Sequence, residues 1–436
     1  MSKSIQVLFV GTSGAIRERL AAALAKRVAL SEVAAHDDLV AAVAARGPHV
    51  VIIVADDAGM RATRALKQAE SPVPILMLGD DPAIAKSTMA VAAGADDALA
   101  ADFSPAEIMG RVRALARLDV MYDELKRRTD IRRRYGIADD LLAAPVSPRG
   151  STAILIAGDL RAEDASLKRA AGSSAYLAFA EDPVSAVAEL ASGDFDAAVV
   201  GVDAPDRWLL LCDDVRENAR LYNLPLLMVA DPDCFADPAE PFDHGATDVM
   251  LRPFAADELR NRLDLLVRQQ RYRKRMRAAY HRALHVETSD SLTGLYNFGY
   301  LHEHLASLLV DVERWDRTLA VGFLDIAGMA RLNQAHGYAG GDTVLRQLGG
   351  LVARLVRGED LSARFSGEEF CVVMPGTTAD EAGKALGRIA SVVDQTAFGI
   401  PGCERPVHVR FKVGLAEAVS GDTPEALIER ARAALA

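Results

Sequence analysis

Only four cysteines occur in 436 residues, Cys212, Cys234, Cys371 and Cys403, and none has CxxC spacing or a histidine pair nearby. That scarcity argues against a disulfide framework and a structural zinc site, and it suits a reducing cytoplasm. No run of about 18 uncharged apolar residues appears, and the first residues have no long apolar signal core. A soluble, cytoplasmic protein without a membrane span is therefore expected. Positive charge is also scarce: 50 Lys and Arg face 61 Asp and Glu, for a net charge of -11. This balance argues against general nucleic-acid or anionic-membrane binding, although local basic patches remain open.

The composition is otherwise that of an ordinary globular protein, and the length predicts about three domains. Residues 5–117 alternate short apolar runs (7–10, 50–54, 74–78) with amphipathic segments (16–28, 61–69, 83–93). Strands and helices of these lengths, in alternation, predict a doubly wound parallel sheet. The same grammar returns after residue 152, with apolar runs at 153–156, 197–200 and 225–229, and Gly245-Ala-Thr-Asp248 repeats Gly94-Ala-Asp-Asp97 ahead of a helix. An internal duplication is implied. Between the copies, 127–134 is charged and 143–150 is rich in Pro, Ser and Gly, which reads as a helix tail and linker. Residues 263–284 lack Gly and Pro and predict a stalk helix. Its cluster Arg271, Arg273, Lys274, Arg275 and Arg277 reads as a solvated helix face rather than a phosphate site. The expected domains are thus 1–126, a linker at 127–150, a second copy at 151–268, a stalk at 269–289, and a third domain at 290–436.

The duplicated halves resemble response-regulator receiver domains. Receivers use an acidic pair after the first strand for magnesium, an aspartate ending the third strand as phosphoryl acceptor, and a lysine near the fifth strand. In the first copy these positions fall on Gly11 and Thr12, Val54 and Ala101, with Asp56 and Asp57 close by as displaced acceptors. In the second they fall on Gly158 and Asp159, Gly201, and the Arg252-Pro253 pair. A structural or dimerising module is expected there, and a homodimer is the corresponding assembly reading.

From Asp290 the text changes. Asp290-Ser-Leu-Thr-Gly-Leu-Tyr-Asn297, the run ending Phe323-Leu-Asp-Ile326, Asn333, Gly341-Asp342, Arg364-Phe-Ser-Gly-Glu-Glu-Phe370 and Lys412-Val-Gly-Leu415 follow the order and spacing of a GGDEF domain. The resemblance implies an α/β chain in which two receiver-like, flavodoxin-like domains precede a nucleotidyl-cyclase-like domain whose sheet contains antiparallel strands. A GGDEF cyclase condenses two GTP molecules into cyclic di-GMP. In the family the metal carboxylates match Asp325 and Glu368, and the guanine contacts match Asn333 and Asp342. Other parts depart from the pattern. The Asp-Ile-Asp-x-Phe-Lys run reads Asp325-Ile-Ala-Gly-Met-Ala330, Phe298 replaces an arginine, and the signature reads Ser366-Gly367-Glu368-Glu369-Phe370. The sequence given ends at Ala436, before a further family lysine and arginine. A catalytically inactive, degenerate cyclase is expected, with the signature as a relic. Asp325, Glu368, Asn333 and Asp342 read either as surface groups of that relic or as residual magnesium and GTP binding.

Five residues before the signature stands Arg357-Gly358-Glu359-Asp360, the placement of the family's inhibitory RxxD site for cyclic di-GMP, and Arg388 matches its helper arginine. A lone RxxD is a common surface pattern, an arginine and aspartate joined at a helix end. Arginine suits this ligand because its guanidinium both forks onto phosphate and stacks on a base. The resemblance, closest to a degenerate branch of the two-receiver cyclases, implies a cyclic di-GMP effector in the cell cycle. Such an adaptor acts at a cell pole and brings substrates or further adaptors to a ClpXP-type protease. A weak, product-inhibited cyclase is the alternative.

Overall fold

The computed structural model describes residues 5–25, 28–33, 38–79, 90, 93–137, 152–218, 221, 223–237, 240–282 and 288–435. The Pro-, Ser- and Gly-rich part of the expected linker, and residues 283–287 of the expected stalk, lie outside the described residues. The chain forms two compact units, one made of residues 3–122 and 145–272 and the other of 123–144 and 273–436.

The first unit holds the sheets of both copies of the duplicated fold, while the ends of their last helices, from residues 123 and 273, belong to the second unit. The first copy runs β1 (Ile5–Val10), α1 (Gly14–Leu24), β2 (Val28–Val33), α2 (Leu39–Arg46), β3 (Val50–Val54), α3 (Asp57–Gln68), β4 (Ile75–Gly79), β5 (Asp97–Ala100) and α4 (Pro105–Arg134). Its strands are all parallel, in the order β2-β1-β3-β4-β5. Val50, Val51, Ile52 and Ile53 are fully buried, as expected of strands covered on both faces. The second copy runs β6 (Ala153–Gly158), α5 (Asp164–Ala171), β7 (Tyr176–Ala180), α6 (Pro183–Ser192), β8 (Ala197–Gly201), α7 (Pro205–Glu217), β9 (Leu226–Ala230), α8 (Glu240–Asp243), β10 (Asp248–Leu251) and α9 (Ala256–Arg282). Its parallel order is β10-β9-β8-β6-β7.

The two copies meet through equivalent residues. Arg111 lies 14 residues after Asp97 and binds both of its carboxylate oxygens, at 2.8 and 2.6 Å. Arg262 lies 14 residues after Asp248 and binds both of its oxygens at 3.1 Å. Glu258 accepts from Arg111 at 3.1 Å and from Arg262 at 3.0 Å, bridging the copies. Burial would lower the Arg111 pKa, but Asp97, Asp248 and Glu258 outweigh it and raise it, so the guanidinium stays charged. Arg268 adds a 2.8 Å contact to Asp96.

The second unit contains α10 (Phe298–Trp315), β11 (Leu319–Ala327), α11 (Met329–Leu355), β12 (Leu361–Ser366), β13 (Glu369–Pro375), α12 (Ala379–Gln395), β14 (Arg410–Glu417) and α13 (Pro424–Ala433). The sheet is antiparallel, ordered β12-β13-β11-β14. The fold class is the one expected from the sequence.

One reading holds and one changes. Residues 127–134, read as a helix tail, continue α4 as far as Arg134. Neither Gly nor Pro interrupts them, and Ile131 is fully buried among Tyr296, Tyr300 and Leu301, so tertiary packing prolongs the helix. Arg273, assigned to a solvated face, is only 2 % exposed. Its stem passes Gly358, where an added Cβ would lie 2.6 Å from Arg273 Cγ.

Candidate functional site

The signature is the β12–β13 hairpin. Ser366 pairs with Glu369, leaving Gly367 and Glu368 as the turn, and Gly367 takes φ +45°, a left-handed conformation that glycine adopts without a Cβ clash. Arg364 holds the turn by donating Nε and Nη2 to the Gly367 carbonyl at 3.0 and 2.8 Å, while Nη1 reaches Asp290 at 3.1 Å. Against burial, the hydrogen bonds from Thr293 and Arg364 hold Asp290 below the usual carboxylate range.

Strand register sets the chemistry of this edge. Asp325 on β11 lies opposite Glu369 on one side and Lys412 on the other. Directly opposed residues share a sheet face, so Ser366, Glu369, Asp325 and Lys412 form one row. Glu369 is already engaged: the Ser366 hydroxyl donates to Oε2 at 2.6 Å and Arg432 Nε to Oε1 at 2.7 Å. Arg432 also lies over the Phe365 ring at 5.6 Å, and Phe298 packs edge-on to that ring at 5.2 Å. Sequence reading missed Arg432, because its partner is 63 residues away.

Glu368 is exposed on the turn, and its carbonyl accepts from Ile326 N at 3.3 Å, next to Asp325. Among the described residues no group of three or more His, Cys, Asp or Glu gathers as a ligand set. Two carboxylates still fit magnesium, which commonly takes one or two from protein and the rest of its oxygens from phosphates and water. Asn333 and Asp342 sit on α11, on either side of a break at Gly337. Asn333 Oδ1 is buried without a hydrogen-bond partner among the described residues. An added Cβ on Gly341 would come within 2.0 Å of that oxygen, so Gly341 makes room for an acceptor able to meet a guanine edge.

The RxxD segment follows the end of α11 as a closed turn. Asp360 N donates to the Arg357 carbonyl at 3.2 Å, and Arg357 N donates to Asp360 Oδ2 at 3.0 Å. Asp360 is buried and Arg357 half-buried. Arg388 is exposed on α12, which packs against α11.

The receiver-like pockets are filled. An added Cβ on Gly11 would meet Val54 Cγ2 at 2.4 Å. Asp56 is exposed and caps α3, accepting from Gly59 N at 2.7 Å, and Asp57 follows as the first helical residue. In the second copy, an added Cβ on Gly201 would lie 2.5 Å from the Asp159 carbonyl, leaving no room for an acceptor side chain. Arg252 donates to Glu163 at 2.7 Å and to the Asp159 carbonyl at 2.9 Å.

A parallel-stranded duplication followed by an antiparallel domain with this hairpin defines a response-regulator-like GGDEF protein, and residues 287–436 match the family "Diguanylate cyclase, GGDEF domain". The chain belongs to this family. The "Response regulator PleD" of Caulobacter vibrioides is 30% identical over 340 residues, covering 78% of this chain and 74% of PleD. "Diguanylate cyclase DgcP" of Pseudomonas aeruginosa is 32% identical over 147 residues, 34% of this chain and 22% of that protein. The coiled coil and GGDEF domain of DgcB from Caulobacter crescentus, solved with c-di-GMP, aligns over 37% of this chain and 84% of that one at 24% identity and a TM-score of 0.33. Among the described residues no helix is long and apolar enough to cross a membrane.

Proposed function

We propose that this protein is a cyclic di-GMP effector that binds the second messenger through Arg357, Asp360 and Arg388 and is catalytically inactive as a cyclase. The observation that carries the reading is the built RxxD turn. Asp360 N donates to the Arg357 carbonyl and Arg357 N to the Asp360 carboxylate, so both side chains of the motif stand on one turn, and an arginine there suits a ligand whose phosphate it can fork onto and whose guanine it can stack on. The cyclase edge supports the same reading from the other side. Ala327, Met329 and Ala330 occupy the positions of the second acid, aromatic and lysine in the family run. Each missing cation at a triphosphate removes transition-state stabilisation, and about 1.4 kcal/mol is already tenfold in rate. Recognition of cyclic di-GMP needs neither nucleophile nor base, so the output is a protein contact. By family resemblance the partners are substrates and adaptors of a ClpXP-type protease, met at a cell pole by a homodimer.

Calorimetric titration of cyclic di-GMP into the unsubstituted chain and Arg357→Gly tests the proposal. Binding by the first and its loss in the second are expected, with the unfolding midpoint unchanged; equal affinities would refute it. A second reading, a slow product-inhibited diguanylate cyclase, is favoured by the retained Asp325, Glu368, Asn333 and Asp342. Its signature would be sustained turnover of GTP with magnesium that disappears in Glu368→Gln.

A further inference from the structure

The reverse side of the RxxD turn is held by charged groups that the ligand reading does not use. Arg128, on the last turns of α4, donates Nη2 to the Asp360 carbonyl at 2.9 Å and, more weakly, to the Glu359 carbonyl at 3.4 Å. Its Nε goes to Glu124 Oε1 at 2.5 Å, and the same oxygen lies 2.7 Å from His304 Nε2 on α10. Glu124, Arg128 and His304 are 1 %, 3 % and 0 % exposed. A buried ion pair of this kind is weak evidence for stability, because desolvation offsets most of the attraction. It does fix direction: a planar guanidinium held at Nε aims its other donors. Here they are aimed at two consecutive carbonyls of the ligand-binding turn. A second helix-borne arginine supports the same turn, since the Arg273 stem fills the space beside Gly358.

We propose that Arg128 is a positioning residue for the RxxD turn, oriented by Glu124 and His304, and that it sets the affinity of Arg357 and Asp360 for cyclic di-GMP. This rests on the ligand reading above. The Asp360 carbonyl and carboxylate belong to one residue whose carboxylate also closes on Arg357 N. Releasing the carbonyl therefore loosens the turn that presents the Arg357 guanidinium. Glu124 is acceptor-only when ionised, so His304 donates from Nε2. Against burial, which would raise its pKa, His304 and Arg128 hold the Glu124 carboxyl at about 2. The helix bearing Arg128 starts at Pro105.

The test uses the full chain with Arg128→Met and Arg134→Ala. Arg134 lies on the same helix and binds Glu303 at 2.7 Å at the surface, which makes it the control for helix docking alone. Titration with cyclic di-GMP should show affinity reduced about tenfold or more in Arg128→Met, the scale of one lost charge-assisted hydrogen bond, and unchanged in Arg134→Ala. Hydrogen exchange without ligand should show lost protection at amides 357–361 in Arg128→Met only. Arg128→Lys should recover part of both, because one ammonium cannot span Glu124 and the carbonyls together. Affinity within twofold of the unsubstituted chain in Arg128→Met, or an equal loss in Arg134→Ala, would overturn the proposal. Should Arg128→Met fail to fold, Glu124→Gln replaces it, with the same exchange readout and the same overturning result. No binding by the unsubstituted chain would refute the ligand reading itself, and the ligand-free exchange separates that outcome from failure of the positioning role.

Discussion

At the residue scale the informative groups are buried charges, and their meaning lies in which partner each one faces. His304 is fully buried, with Glu124, Arg128 and Arg127 around it and Tyr300 stacked at 6.3 Å. Burial lowers its pKa and the Glu124 carboxylate only partly opposes this, so the folded imidazole stays neutral where the unfolded one takes a proton. A depressed folded pKa contributes stability above the unfolded value that is lost as pH falls. Glu124, also depressed, to about 2, has the same sign at lower pH. Acidification should therefore weaken the protein in two stages, first through the ordinary histidine range near 6.5 and then from about 4.5 toward 2. Urea midpoints measured from pH 8 to 5 should fall in the unsubstituted chain and stay flatter in His304→Gln, whose amide still donates to Glu124. Parallel curves would show that His304 does not carry the first stage.

Elements show how far sequence pattern reaches. The β/α alternation, the duplication and the signature hairpin were all legible, because periodicity and turn chemistry act over a few residues. Arg357, Asp360, Asn333 and Asp342 could be located in the sequence as motif positions, because they sit at fixed offsets along one strand–helix–strand segment. What remained hidden depends on contacts between distant elements. The charged run from Arg127 to Arg134 reads as a helix tail, but nothing in it shows that Ile131 is buried with Tyr296, Tyr300 and Leu301. Arg432 was invisible for the same reason. Gly358 is a further instance: within RxxD it looks like a free spacer, yet the Arg273 stem leaves no room for a Cβ. Gly358→Ala should cost about 1–3 kcal/mol by overpacking, read as a lower urea midpoint. Gly387→Ala on α12, where an added Cβ meets nothing within 4 Å, should be neutral or slightly stabilising.

For the whole molecule, the duplication is more than two similar domains in series. The paired arginines Arg111 and Arg262 and the shared Glu258 join the copies through buried charge, so the copies should unfold together. The two tryptophans make this measurable. Trp208 lies fully buried in the second copy, donating to Asp203 at 2.6 Å, while Trp315 belongs to the other unit. In a Trp315→Phe background, fluorescence reports on the second copy alone. Arg111→Met, a change in the first copy, leaves Asp97 buried without its arginine partner, which should cost about 3–5 kcal/mol. If the copies are one cooperative body, the Trp208 transition moves to lower urea by that amount. Adding Asp97→Leu to Arg111→Met should then restore part of the loss, since removing both charges is far cheaper than stranding one. A Trp208 midpoint indifferent to Arg111→Met would mean that the copies unfold independently and that the shared charges join them in the folded state without making them one thermodynamic unit.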